Sequence, residues 1–387
     1  MQNFDFYNPT RIIFGRGQTN RVGEVTKAYG KRVLLLYGRG SVKRIGLFEK
    51  VVRSLRQAGV GWIEYGGVRS NPVLGFARKA IDLFRREKLD AIVAVGGGSV
   101  IDTAKTVAAG VLYEGDAWDF FCNKAEVEKA VPVIVVLTLA ASGSEMNGGG
   151  VITNEKTQQK LHLVGEPLFP KASILDPVNT YTAPIDHSMY GAVDAIMHVL
   201  EGYFNATDPA TPLQDRFVEG LVKTVMENAK IIFYKPNDYE ARANIMWCAA
   251  LALNGLMVSG VAAEGFPMHM IEHSLSALYD IPHGAGLAIV APSWMRYKSK
   301  SDPEKFAQFA KRVFNASDGS MQEKAAKGIN SLEKWFLSIG VPVRLSDVDI
   351  PASDIKKIAE NARMTAKLWG LTGYTVEIIE KILKKAA

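Results

Sequence analysis

Six histidines occur in the chain, and four of them fall where a metal ion could use them. Asp194-Ala-Ile-Met-His198 sets a carboxylate and an imidazole four residues apart. His269-Met-Ile-Glu-His273 sets two imidazoles four apart, and His283 follows in Ile281-Pro-His-Gly284. Side chains at i and i+4 share one face of a helix. A carboxylate with three imidazoles is a donor set for one divalent cation, Fe(II) or Zn(II). Asp194, His198, His269, His273 and His283 therefore compete for four places, and spacing does not choose between His269 and His273. The residues around Asp194 and His198 are apolar, so their helix is expected to be buried and its polar groups need partners. His162 and His187 lie outside these motifs and read as structural or surface residues.

A second chemistry is suggested upstream. Val95-Gly-Gly-Gly-Ser99 leads from an apolar strand into the helical pattern that begins at Val100. Glycines let the backbone approach a pyrophosphate, and a helix start aims N–H groups at it. The pattern differs from the G-x-G-x-x-G of dinucleotide folds. The turn Gly38-Arg39-Gly40-Ser41 closes the first strong strand. An acid at such a strand end binds the ribose hydroxyls of NAD and repels a 2′-phosphate. Here Gly38 replaces it, while Arg39, Ser41, Lys43 and Arg44 offer donors, which favours NADP(H) over NAD(H). A metal and a phosphate-bearing cofactor in one chain point to redox chemistry.

The elements that must position these residues change character along the chain. Apolar runs at Arg32–Tyr37, Trp62–Tyr65, Ala91–Val95 and Pro132–Leu137 read as strands. Amphipathic stretches near 43–58, 73–88 and 100–112 lie between them. Strand–helix repetition predicts a mostly parallel, doubly wound sheet with ligands at the carboxyl ends of its strands. From about residue 185 the pattern is helical, with breaks at Pro209, Pro236, Pro282 and Pro342. Residues 1–184 are thus expected to form an α/β dinucleotide-binding domain and residues 185–387 an all-α metal-binding domain, with a cleft between them.

Composition excludes other classes. Hydrophobic residues make up 48% of the chain and charged residues 22%, as in soluble globular proteins. The net charge of +6 is scattered, without basic runs interleaved with aromatics, so no nucleic-acid partner is expected. Two cysteines, Cys122 and Cys248, give no disulfide framework and fit a cytoplasmic protein. Ala243–Ala263 is uncharged and about as long as a membrane span, but its asparagines and glycines favour a buried helix, and no membrane association is expected.

Taken together, Gly96-Gly-Gly-Ser-Val-Ile-Asp-Thr-Ala-Lys105, Ser142-Gly-Ser-Glu145, Asp194…His198 and His269-x-x-x-His273 with Pro282-His-Gly284 resemble the iron-containing (group III) alcohol dehydrogenases, in particular their butanol dehydrogenase and NADPH-dependent aldehyde reductase branch. The resemblance runs from Asn8-Pro-Thr-Arg-Ile-Ile-Phe-Gly15 to the C-terminal helices. It implies a dehydroquinate synthase-like architecture, a homodimer, Fe(II) before Zn(II), and a small primary alcohol or aldehyde such as butanol or butanal. It implies Asp194, His198, His269 and His283 as metal ligands and leaves His273 near the nicotinamide as a catalytic proton-relay group. It implies cofactor contacts at Asn71, Gly97, Gly98, Ser99, Asp102, Thr138, Leu139, Ser142, Asn147 and Lys160. Leu139 departs from the Thr-Thr frequent at that turn and removes one hydroxyl. The runner-up is a metal- and nicotinamide-dependent cyclase of the dehydroquinate synthase type. Its anionic substrates call for converging basic residues, whereas Met, Phe and Leu surround this metal motif. A metal-dependent hydrolase would leave the two glycine turns without purpose.

Overall fold

The computed structural model describes residues 1–207 and 210–387; the helix break expected at Pro209 lies outside the described residues. Eight strands are present: β1 (Arg11–Phe14), β2 (Arg32–Gly38), β3 (Gly61–Val68), β4 (Ala91–Gly96), β5 (Val133–Leu137), β6 (Gly149–Asn154), β7 (Gln159–Val164) and β8 (Ala172–Leu175). Six form one sheet in the order β1-β8-β5-β4-β2-β3, and its pairings are parallel throughout. β6 and β7 pair separately as an antiparallel hairpin. Val33 to Leu36 in β2 and Ile134 to Leu137 in β5 are fully buried. Such continuous apolar runs suit strands covered on both faces. One face packs Val33, Leu35, Val93 and Val136 against Val51 and Leu55 of the helix Leu47–Gln57.

The strand order places the phosphate-type turns together. From β2 the chain runs outward to β3, then returns to lay β4 on the other side of β2. This reversal is the switch point at which open α/β sheets bind ligands. Tyr37 pairs with Val95, so Gly38 and Gly96 leave the sheet side by side. Helix Gly98–Val111 starts immediately after β4.

The chain divides into two compact units. One comprises Tyr7–Pro184 with Asn237–Asn254; the other comprises Met1–Phe6, Ile185–Pro236 and Gly255–Ala387. A boundary thus falls after Pro184, but two segments change sides from the division expected at 184/185. The helix Tyr239–Ala252 packs with the α/β unit: Trp247 meets Phe14 edge-on at 6.1 Å, and Arg16 lies over Tyr239 at 4.2 Å. The N-terminal residues join the helical unit through Gln2 N–H, which donates to Gly260 O at 2.9 Å.

Ala243–Ala263 is consequently not one buried helix. The helix stops at Ala252, and Gly255 and Gly260 follow with φ of 93° and 72°. Positive φ at two glycines breaks the helical path. Among the described residues no helix is long and apolar enough to cross a membrane. Cys122 and Cys248 are both free thiols.

Candidate metal centre and cofactor turns

Three helices of the helical unit build the metal candidate. Ile185–Phe204 carries Asp194 and His198, Pro267–Tyr279 carries His269 and His273, and His283 opens His283–Lys298. The first helix is buried on nearly every side from Ser188 to Phe204. The third lies against the first at a glycine: a Cβ on Gly284 would stand 2.1 Å from Tyr190 O. That clash explains why Gly follows His283, because a side chain there would push the imidazole away from Asp194.

Asp194 Oδ1 is the hub. It lies 3.5 Å from His198 Nδ1, 3.9 Å from His269 Nε2 and 3.6 Å from His283 Nε2. Donors held about 2.1 Å from one cation in a tetrahedron stand about 3.4 Å apart. Asp194 Oδ1, His198 Nδ1 and His269 Nε2 are buried without a hydrogen-bond partner. Three orphaned polar atoms in an apolar interior carry a desolvation cost that a shared cation would offset. The residues present therefore fit a divalent metal. His273 stands outside this set, its ring 5.6 Å from that of His283 and 5.2 Å from Trp369. The i, i+4 pair thus divides, with His269 at the hub and His273 beside it.

The charges respond to this crowding. Burial opposes ionisation of Asp194, yet the imidazoles of His198, His283 and His269 hold its carboxyl well below the usual range. Burial pushes His198 down to about 3 against the attraction of Asp194. Burial also works against a charged His269, but the carboxylates of Asp194 and Glu201 on either side push it up to about 9.

Two acids absent from the predicted set complete the centre. Glu201 Oε1 lies 2.9 Å from His269 Nδ1 and accepts from His269 N–H at 2.8 Å. Glu272 Oε2 contacts His283 Nδ1, and Glu272 Oε1 accepts from Ser276 Oγ. Both carboxylates are fully buried. A carboxylate on the far ring nitrogen fixes the tautomer that presents Nε2 to a metal and raises its basicity. The sequence carried a signal for each. Glu201 follows His198 by three and Asp194 by seven on one stripe, and Glu272 lies inside the His269–His273 pair. Gly286 leaves room for it, since a Cβ there would come within 2.6 Å of Glu272 Oε1.

The cofactor candidates lie in the α/β unit. A Cβ on Gly98 would stand 2.4 Å from Ser142 Oγ, and one on Gly97 would stand 3.0 Å from Leu139 Cβ. Gly97, Gly98, Ser99, Leu139 and Ser142 therefore form one crest at the ends of β4 and β5, and Thr138 N–H joins them by donating to Gly96 O at 3.1 Å. Gly38, Arg39, Gly40 and Ser41 sit beside it at the end of β2, with φ of 104° at Gly40. Lys43, expected as a donor there, pairs with Glu64 at 2.8 Å, and Arg39, Ser41 and Arg44 remain as the turn's expected donors. Four expected contacts serve the local frame. Asp102 accepts from Ser144 Oγ at 2.7 Å and from Val151 N–H at 3.1 Å. Asn147 Oδ1 accepts from Gly149 N–H at 2.9 Å, while its Nδ2 donates to Gly143 O at 2.9 Å. Lys160 Nζ donates to Asn71 Oδ1 at 3.1 Å, and Asn71 adopts a φ of 48°.

This combination of a parallel-sheet unit with glycine turns and a helical unit with a carboxylate and three imidazoles defines a class. Residues 9–177 match the family described as iron-containing alcohol dehydrogenase, and residues 188–387 match the C-terminal part of the Fe-containing alcohol dehydrogenase family. The chain belongs to the iron-containing alcohol dehydrogenase family. It is 44% identical over 386 residues to the probable NADH-dependent butanol dehydrogenase 1 of Bacillus subtilis, covering 99% of each chain. It is 38% identical to the NADPH-dependent aldehyde reductase YqhD of Escherichia coli, covering 93% of this chain and 94% of that one. The crystal structure of NADH-dependent butanol dehydrogenase A from Thermotoga maritima superposes with a TM-score of 0.97 at 46% identity, covering 100% of this chain and 99% of that one.

The paired acids generate a test. Glu272→Gln and Glu201→Gln are expected to weaken Fe(II) or Zn(II) binding by about 10- to 100-fold each, read by competition with a chromophoric chelator. Wild-type affinity in both variants would remove the orienting role.

Proposed function

We propose that the chain catalyses metal-dependent hydride transfer between NADP(H) and a small primary alcohol or its aldehyde, of the butanol and butanal type. The observation that carries this reading is the trio of orphaned buried atoms on Asp194, His198 and His269, with His283 Nε2 completing the set. Asp194, His198, His269 and His283 would hold the cation, which when bound would supply a Lewis acid for the substrate oxygen. Rings flank the imidazoles: Phe266 lies 5.5 Å from His269, and Trp369 lies 5.2 Å from His273. Such walls suit a short apolar substrate and favour this reading over an anionic cyclase substrate. A bound nicotinamide would supply or accept the hydride, and the substrate oxygen would then need a proton from this chain's own residues. The protein supplies position and dryness, while the cofactor carries the hydride. His273, buried and next to His283, is proposed as the group that passes the proton.

The metal reading is tested with NADPH, butanal and purified protein, following nicotinamide absorbance. Chelator treatment should abolish turnover and added Fe(II) or Zn(II) should restore it. Asp194→Ala should lose bound metal while NADPH binding persists. Stoichiometric metal in that variant would reject the ligand set.

Cofactor choice rests on Gly38, Arg39 and Ser41. The butanol dehydrogenase relatives carry NADH in their names and the aldehyde reductase NADPH, and the NADP(H) reading is supported by this chain's own turn. A 2′-phosphate there would gain charge-assisted bonds from Arg39 and find Gly38 where an NAD-type acid would stand, while the nearby Glu64 is paired with Lys43. Catalytic efficiency is expected to favour NADPH by about tenfold or more, the value of one such bond. A Cβ at Gly38 would meet only Val68 O at 3.5 Å, so Gly38→Asp fits the fold and should reverse the preference. Equal efficiency with both cofactors in the wild type would defeat the assignment.

For His273, the alanine variant should keep its metal and lose about 10²- to 10⁴-fold in turnover, as for loss of a general acid–base group. Full turnover with an unchanged pH profile would take the proton to another group.

A further inference from the structure

One charged side chain of the glycine motif remains without a role. Lys105 closes Gly96-Gly-Gly-Ser-Val-Ile-Asp-Thr-Ala-Lys105, and it is completely buried. Burying an ammonium is unfavourable unless its protons are all bonded. Lys105 Nζ meets four oxygens: Ser144 Oγ at 3.0 Å, Asn147 O at 2.8 Å, Asn147 Oδ1 at 3.0 Å and Gly149 O at 2.6 Å. All four belong to one segment, Ser142–Gly149, a loop that ends on the first residue of β6. The Ser144 hydroxyl also donates to Asp102, one turn earlier on the helix of Lys105. The helix therefore grips the loop through a cation and an anion that share one serine.

From another direction the loop meets a wall. Gly143 has a φ of 63°, and a Cβ there would stand 2.8 Å from Ala249 O of helix Tyr239–Ala252. Asn8 Nδ2 donates to both Met146 O and Asn254 O, tying the loop to the end of that helix. Ser142 then rests against Gly98 at the start of the phosphate-type helix. The loop's path over that helix start is set by bonds to Lys105, while Lys105 itself is shut off from solvent.

We propose that Lys105 is a positioning residue for the nicotinamide cofactor, acting through loop Ser142–Gly149 to set cofactor affinity. The inference rests on the α/β unit binding a dinucleotide, as proposed above. Its ammonium delivers no proton and touches no reacting atom. It supplies donors to backbone oxygens that point inward and have no strand partner in their place. Without it the loop relaxes and Ser142 leaves its place beside Gly98. An uncharged side chain of similar length fills the volume but leaves those oxygens unpaired.

The test compares Lys105→Met and Ser144→Ala with the wild type in metal-loaded protein. Dissociation constants for NADPH and NADH are read from cofactor fluorescence, beside melting temperature, metal content and kcat at saturating cofactor. Lys105→Met is expected to raise the cofactor dissociation constant by about 10- to 100-fold, and Ser144→Ala by a smaller factor, as expected for lost bonds to a charged group. Metal content should not change, and kcat should stay within about twofold, because the bound transition state is reached once the loop is filled. A lowered melting temperature with wild-type cofactor affinity would make Lys105 a stability residue and overturn the proposal. If Lys105→Met does not fold, Ser144→Ala decides: raised dissociation constants support the role, and unchanged ones reject it. A wild type that binds neither nicotinamide would sink the cofactor reading itself, a distinct outcome.

Discussion

The helical unit is organised around a carboxylate that the fold has deprived of water. Asp194 sits in a helix buried on nearly every side, and its Oδ1 faces three imidazole nitrogens at distances too long for hydrogen bonds. Apolar packing cannot stabilise such a group; the imidazoles attract its charge, yet Oδ1 makes no hydrogen bond. Much of the surrounding structure keeps this arrangement from collapsing. Glycines at 284 and 286 let the third helix close on the other two. Glu201 and Glu272 draw the outer nitrogens of His269 and His283 away from the hub, so the rings cannot turn to satisfy Asp194 directly. Polar groups held apart in this way are the expected cost of a preorganised metal site.

A related constraint governs the α/β unit, with opposite polarity. There the buried group is the Lys105 amine, and it meets four oxygens. Lys105 bonds to a single loop, and Asp102 supplies the anion beside it. The difference follows from purpose. A metal site needs donors left open, whereas a frame that shapes a loop needs every bond closed. Several residues expected to touch cofactor, Asp102 and Asn147 among them, direct their side-chain atoms into this frame. The crest positions Gly97, Gly98, Ser99, Thr138, Leu139 and Ser142 are all half-buried, whereas Asp102 is buried.

Much of this was legible in the sequence because periodicity and spacing are local properties. The runs beginning at Arg32, Ala91 and Pro132 are long and β-branched or leucine-rich, and they form β2, β4 and β5. β1 and β8 have only four residues each, too few for an apolar run to stand out, and their identity as strands comes from pairing with each other. The helix Tyr239–Ala252 was assigned to the wrong unit for a similar reason. It lies within a helical stretch of sequence, and only contacts with Phe14 and Arg16 reveal its partner. Spacing found Asp194, His198, His269, His273 and His283. It could not choose between His269 and His273, since helical periodicity places residues on a face without saying what that face meets. Glu201 and Glu272 escaped because an acid in an apolar helix announces burial, not the identity of its partner.

The division of labour between His269 and His273 shows how tertiary contacts settle what spacing leaves open. One helical turn separates them, and both are buried to a similar extent. Glu201 bonds both the backbone N–H and Nδ1 of His269, so the ring is held at Nδ1 with its Nε2 toward Asp194. His273 instead meets Trp369 edge-on and lies beside the ring of His283. An imidazole locked in one tautomer is suited to ligation, since exchange of its proton would break the set. The carboxylates therefore sort the three imidazoles by geometry: Glu201 and Glu272 hold the outer nitrogens of His269 and His283, whose Nε2 atoms face Asp194, whereas the ring of His273 packs against those of Trp369 and His283.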